Sequence, residues 1–560
     1  MLRFLLIPCA FLVCVCRAVA DDQTAIRAIE QLGGTVKTAT RLEDQPPFDV
    51  NLDRIADADA ALVEVAKLSS VARLSLAMAN VSPAGFGTLG TLENLRELNV
   101  SGTALDDVTL AYLVSLEELR HLNLAHTNIT DRGFSHLVAL QQLETIDLGN
   151  TSVSDECVAM LVASRQLNWL CLDSTQVTGR HFEGLARLPM LEVLNISHTP
   201  VSDEALQQLC ASKSLQELLV AHTKVSDAAF RTLDEIQGLT KLGLNDTRIS
   251  SRTLSVVGKC KSLQQLNLSD TQVAAGDLMR LAPLQSLEML VARHTDIADE
   301  DMEAAASLKS LQQLDFSDTR VSDDGMAALA TLPRLSVLVI ERTAVGDDGM
   351  TALATCPALR ELDVHGKRIG DAGLRVLCSM HALTVLCAGE TSITDMGAEA
   401  LRSLKQLQRL DIESTEISNL ALASIGQLKE LEDLGLGHTA VDDDGLRHLR
   451  PLKRLRILGA GRTGITDEGM KVIGTFENLE KLDLTRTRIS DQGVRVLSAL
   501  KKLKVLSLSD TKITDDAVTH LEQFPELRAL DIDGTQISAF ARWRLGSPVF
   551  RKAIEKEPER

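Results

Sequence analysis

Large aromatic side chains are scarce in this chain: 12 Phe, 2 Trp and 1 Tyr among 560 residues. The three or four conventional cores that such a length implies would draw on more rings than that. The apolar share, 45% of residues, falls instead on Leu, Ile, Val and Ala, as if one small packing unit were used many times. That share excludes disorder, and 34 Gly with 13 Pro exclude collagen-like and mucin-like chains. Basic residues are outnumbered 58 to 77, and the net charge of −19 argues against nucleic acid or an anionic lipid surface as main partner. Beyond the first residues no apolar run reaches the roughly 20 residues of a transmembrane helix.

At the start, Arg3 precedes the apolar run from Phe4 to Cys16, and Ala18-Val19-Ala20 supplies small residues before Asp21. This is the pattern of a secretory signal cleaved after Ala20, so residues 1–20 are read as a signal peptide. The mature protein is then expected to be exported, whether periplasmic, on the cell surface or secreted. Three of the ten cysteines lie in that segment. The other seven, Cys157, Cys171, Cys210, Cys260, Cys356, Cys378 and Cys387, are widely spaced with no Cys-x-x-Cys pair. Neither a disulfide framework nor a zinc site has that spacing, and buried free thiols are expected. No phosphate-binding Gly-rich loop or Walker motif occurs, and no insertion is large enough to form a pocket. The expectation is a protein that is not an enzyme, with no cofactor and no metal.

A 24-residue period organises the rest. Counting from Thr103 in steps of 24 gives nineteen positions to Thr535, and all are Thr except Lys367. Each unit reads L-x-x-L-x-L-x-x-T-x-I-x-D-x-G-L-x-x-L-x-x-L, as from Leu479 to Leu500. Two weaker copies with Ile55 and Ala79 in the Thr slot precede them, giving about 21 rungs. The Leu122/Leu124 pair alternates like a strand, whereas Phe134, Leu137 and Leu140 recur at helical spacing. Asp stands four residues after the Thr in fourteen rungs, a position suited to capping the helix that follows. One such unit cannot bury its own apolar stripe, but a stack buries a continuous core.

These in-phase copies resemble the leucine-rich repeat family over residues 50–539. The I-[TS]-D-x-G-[LM] half is similar to its cysteine-containing and GALA-like subclasses. The all-Thr version is similar to exported repeat proteins of planctomycete-type bacteria. The resemblance implies an α/β solenoid: a right-handed horseshoe with a parallel β-sheet on the concave face and short helices on the convex face. It implies that the Thr column points inward and bonds backbone groups of the adjoining loops. It further implies a non-enzymatic scaffold that holds a protein or an envelope polymer on the concave face. Two alternatives are a substrate adaptor of the ubiquitin-ligase type and a passive envelope structural protein. The adaptor needs an F-box-sized helical domain, for which residues 21–49 are too few.

Residues 21–49 are read as an N-terminal cap, with Ile26, Ile29 and Leu32 along one helix face. Residues 540–560 are read as a C-terminal cap and tail in which Phe540, Trp543, Leu545, Val549 and Phe550 cover the last rung. Two patches of outward strand positions are candidate binding sites. One is centred on Trp169, a good anchor for a partner, with Asp147 and Asn195 on the flanking rungs. The other holds Met289, Val291, Val337, Val339 and Val385, interrupted by the polar rungs carrying Asp315 and Asp363. His recurs before the Thr at His126, His198, His222, His294 and His438, with His198 and His222 on adjacent rungs. The break at His365-Gly366-Lys367 is read as drift, not as an active site.

Overall fold

The computed structural model describes residues 22–38 and 47–545. The signal-peptide reading, Val549 and Phe550 therefore fall outside the described residues. Two compact units divide the chain at Gln272/Val273. In the first, the antiparallel strand β1 (Thr35–Thr38) pairs with β2 (Phe48–Asn51), and parallel strands follow at each rung as far as β11 (Gln265–Asn267). The second unit carries parallel strands from β12 (Met289–Val291) to β22 (Ala529–Asp531). Twenty-one strands from β2 to β22 match the rung count read from the repeat.

Most strands are three residues long, with the central Leu or Ile buried and its two neighbours on the open face, as in Trp169–Cys171 and Val337–Val339. The ladder runs past each strand: Leu124 N–H donates to Asp147 O and His126 N–H to Gly149 O, both at 2.8 Å. Opposite the sheet lie short helices, seven residues in Asp467–Ile473 and a 3₁₀ turn alone at Leu233–Glu235. Between the two layers Leu, Ile and Val of every rung are buried, so the apolar stripe is continuous within each unit.

The Thr column does point inward. Each of the eighteen Thr hydroxyls donates to the carbonyl three residues earlier, for example Thr127 to Leu124 O at 2.6 Å and Thr295 to Ala292 O at 2.8 Å. The bond closes the rung's own turn and does not reach the loop of a neighbouring rung. The residue before each Thr is left-handed, with φ of 56° at His126 and His438 and 57° at Arg462. Among larger side chains His tolerates that region comparatively well, which accounts for its recurrence there.

The recurrent Asp does not cap its own helix. In most rungs Ser or Thr one position earlier does so, as Ser154 Oγ accepts from Glu156 N–H, and Asp106 and Asp442 do so in two others. The Asp reaches the next rung instead. Asp131 Oδ1 accepts from Ser154 N at 2.8 Å and Cys157 N at 3.0 Å, and Oδ2 accepts from Ser154 Oγ at 2.6 Å. The same clamp joins Asp395 to Ser418, Asp443 to Thr466 and Asp467 to Ser490. Glycine in D-x-G follows from it: a Cβ at Gly469 would stand 2.5 Å from Asp443 Oδ1.

The ends differ from the sequence expectation. In the helix over residues 22–31, Ala25 and Ile29 are buried while Ile26 is half-buried and Leu32 exposed. Spacing of four puts Ala25 and Ile29 on one helix face, and Leu32 lies past the helix end. Asp22 accepts from Ser69 N and Oγ, both at 2.8 Å. At the other end Ala541 and Leu545 of Ala539–Leu545 are buried, again at a spacing of four. Phe540 (73% exposed) and Trp543 (66%) stack on each other in solvent and do not cover the last rung.

All seven described cysteines are buried free thiols. Burial pushes Cys171, Cys260, Cys378 and Cys387 up to about 12, so none is a poised nucleophile. No helix among the described residues is long and apolar enough to cross a membrane.

Candidate functional site on the open sheet face

In the first unit the open face hollows into a trough of about 540 Å³ between β1 and Trp169. The antiparallel β1 forms one end, presenting Thr35 and Lys37. Trp169, half-buried, stands at the other, in register between Thr145 and Val193. Along the floor, Asn99, Asn123 and Asp147 occupy the same register position on consecutive rungs. Each turns one oxygen back to its own backbone: Asn99 Oδ1 accepts from Ser101 N at 3.0 Å, Asn123 Oδ1 from Ala125 N at 2.9 Å, Asp147 Oδ1 from Gly149 N at 3.0 Å. That bond fixes the amide planes of Asn99 and Asn123 and leaves their Nδ2 donors without a partner among the described residues.

The walls are electrostatically spent. Arg73 lies 2.9 Å from Glu97 and 3.8 Å from Asp49, and His121 Nδ1 is 3.0 Å from Thr145 Oγ1. Asp49 Oδ1 is buried with no hydrogen-bond partner.

The structure gathers the first predicted patch. Asp147, Cys171 and Asn195 are register partners beside Trp169, and Asn195 Nδ2 lies 3.6 Å from Cys171 Sγ. It does not make the second patch contiguous. Met289 and Val291 are register partners of Gln313 and Asp315, and these in turn of Val337 and Val339. The apolar residues therefore sit on alternate rungs, about 10 Å apart. Asp315 between them is buried, 2.5 Å from Arg293 Nε.

His198 and His222 do meet, with ring centroids 4.2 Å apart and planes within 13° of parallel. In-plane nitrogen lone pairs of stacked rings do not converge on one point. His222 Nδ1 instead lies 2.7 Å from Asp246 Oδ2.

The rung read as drift holds a second polar cluster, in the second unit. His365 Nδ1 lies 2.7 Å from Asp363 Oδ1, and Nε2 lies 3.7 Å from Asp411 Oδ2, two rungs on. Gly389 makes room on the rung between, since a Cβ there would lie 2.6 Å from His365 Nε2. Burial opposes the ring's charge, but the hydrogen bonds and charges of Asp363 and Asp411 outweigh it and raise His365 to about 10. Burial also opposes ionisation of Asp411, yet His365 and the Glu413 N–H hold its carboxyl below the usual range. Glu413 is pushed up, by burial first and then by Asp411 and Asp483. With both ring nitrogens engaged and the charge retained, His365 is a clamp across rungs and not a general base at neutral pH.

Sequence reasoning missed the trough because β1 lies outside the period. The signal that was present is the polar column Asn99, Asn123, Asp147 just before the second buried Leu or Val of each rung.

The leucine-rich repeat region model matches residues 75–348 and 343–549. A comparison with curated proteins finds no match. Among solved structures, the Arabidopsis receptor kinase HAESA, in complex with a peptide hormone, shares 14% identity, with 92% of this chain and 90% of that one covered and a TM-score of 0.41. An internalin from Listeria monocytogenes shares 21% over 72% and 94%, with a TM-score of 0.38. A leucine-rich repeat protein of Leptospira interrogans shares 19% over 78% and 95%, with a TM-score of 0.41. With the family model spanning well over half of its residues, the chain belongs to the leucine-rich repeat family.

Proposed function

We propose that the chain is an exported, non-enzymatic binding scaffold that holds a protein or an envelope polymer on its open sheet face. The observation that carries this reading is the trough, whose floor of fixed donors and acceptors runs up to the aromatic ring of Trp169. Nearly every other polar repeat position is consumed inside the fold: the Thr column in turns, the Asp column in clamps, His365 between carboxylates. The outward strand positions are what remains for a partner. Export rests on residues 1–20, whose Arg3, apolar run and Ala18-Val19-Ala20 read as a secretory signal.

Affinity capture tests the reading. Residues 21–560 are immobilised, exposed to solubilised envelope and spent medium of the host, and the retained species identified by mass spectrometry. A partner held by wild type and lost by the Trp169→Ala, Val339→Asp double variant is the expected result. Equal retention by both variants would move the site off these patches. Retention of nothing, across a range of salt and pH, would point to the passive structural alternative.

A further inference from the structure

We propose that the trough in the first unit binds a linear, uncharged oligosaccharide laid across the strands, about one sugar ring per rung. The inference deepens the binding-scaffold reading and rests on it.

Four observations select this ligand class. The first is periodicity. Asn99, Asn123 and Asp147 repeat once per rung in exact register, a step of about 4.8 Å. A linear hexopyranose chain repeats at a similar length, whereas an extended peptide advances about 3.4 Å per residue and falls out of phase with the row. The second is the donor set. The planar amides of Asn99 and Asn123 are braced by Ser101 N and Ala125 N, so their outward N–H groups are fixed before a ligand arrives. Hydroxyls of a sugar can accept from these amides and donate to carboxylates such as Asp147.

The third observation is the single aromatic wall. Trp169 offers a flat apolar face to the C–H face of a pyranose ring, and its indole N–H donates to no group among the described residues. A protein ligand would need several desolvated apolar anchors, and Trp169 is the one outward apolar side chain lining the trough. Fourth, the lining sets Lys37 and Arg73 against Asp49, Glu97 and Asp147, with Arg73 paired to Glu97 and Asp49, so an anionic polymer is repelled and only a slight negative excess is left to draw a cationic one.

The two Trp of the chain make the test direct, because Trp543→Phe leaves Trp169 as the only indole fluorophore. Full-length Trp543→Phe protein is titrated with the hexaoses of cellulose, chitin, mannan, xylan, laminarin and starch, and separately with a pool of extended dodecapeptides. The expected result is a saturable change in Trp169 emission with at least one hexaose and a much weaker one with its disaccharide. Calorimetry with that hexaose should show affinity falling at least tenfold in Trp169→Ala and at least threefold in Asn123→Ala. Leu420→Ser, on an exposed helix position, should leave it unchanged. Circular dichroism shows whether each variant keeps its fold, and Asn123→Ala keeps the test open should Trp169→Ala not fold. Response to the peptides alone would overturn the oligosaccharide and keep the binding reading. Silence to both series would overturn the trough as a site, while the envelope capture above still judges the scaffold on its own terms.

Discussion

Between Asp363 and Asp411, His365 is a charge held in place by two others, and its titration reports on the clamp. Its ordinary pKa is 6.5 and in the fold it stands at about 10. A folded pKa above the unfolded one contributes stability that is fully present below pH 6.5. That contribution is lost as pH rises through about 10. The groups facing it are Asp363 and Asp411 at its two ring nitrogens, with Glu413 beyond them, and Cys387, near Asp363 and Asp411, titrates only at about 12. Urea melts at pH 6 and pH 9.5 should therefore show wild type losing stability with rising pH. His365→Gln should cost about 2 kcal/mol at pH 6, by orphaning hydrogen bonds to charged groups, and flatten the difference between the two pH values. A variant as pH-sensitive as wild type would show that other groups carry the dependence. The sequence displayed the break at His365-Gly366-Lys367 but not its partner, since Asp411 lies 46 residues away. Only the stacking of rungs, with Gly389 leaving the gap between, brings the two together.

Among the elements, the helix starts show most clearly what a repeat pattern gives and withholds. Alternation and helical spacing within one period are local, so strand, turn and helix were all legible from Leu, Thr and Asp in one rung. The carboxylate's partner was not, because it stands 23 residues ahead, one short of the period, and a pattern read within one rung cannot separate a bond along it from a bond across it. Asp443 and Gly469 make the point testable. Asp443 accepts from Thr466 N at 2.9 Å and Thr466 Oγ1 at 2.6 Å, and a Cβ on Gly469 would strike the same carboxylate. Asp443→Ala should cost about 2–3 kcal/mol by leaving partly buried donors unpaired. Gly469→Ala should also destabilise, although Ala is the better helix former by about 1 kcal/mol. In the double variant the closest clash partner is gone and only the side-chain ends of Leu446 (2.9 Å) and Ile465 (3.0 Å) must give, so part of the helix preference returns and the combined loss should fall short of the sum by about 1 kcal/mol. Additive losses in thermal or urea melts would show that the glycine is there for another reason. β1 escaped prediction for the converse reason: it belongs to no rung, so no period marks it, and the end of the trough went with it.

Across the whole chain, an unbroken 24-residue phase means that each rung meets its neighbours through the same groups. Removing residues 464–487 joins Thr463 to Arg488, and Asp443 then faces Ser490, whose N–H and hydroxyl replace those of Thr466. Central Leu458 would pair with Val505-Leu506-Ser507 in place of Lys481-Leu482-Asp483, keeping the buried column filled. The expected product is a folded protein one rung shorter, with a cooperative melt and circular dichroism per residue close to wild type. Removing residues 464–475 deletes half as much chain but places Glu477 and Leu479 where Ile465 and Asp467 stood, so strand and helix positions fall out of phase. That shorter deletion should be the damaging one, seen as lost cooperativity or failure to fold the second unit. The trough draws on residues from Thr35 to Trp169 alone, so the 24-residue deletion should also leave oligosaccharide binding within twofold of wild type. If the longer deletion proved the more harmful of the two, stability would lie in particular rungs and not in their phase.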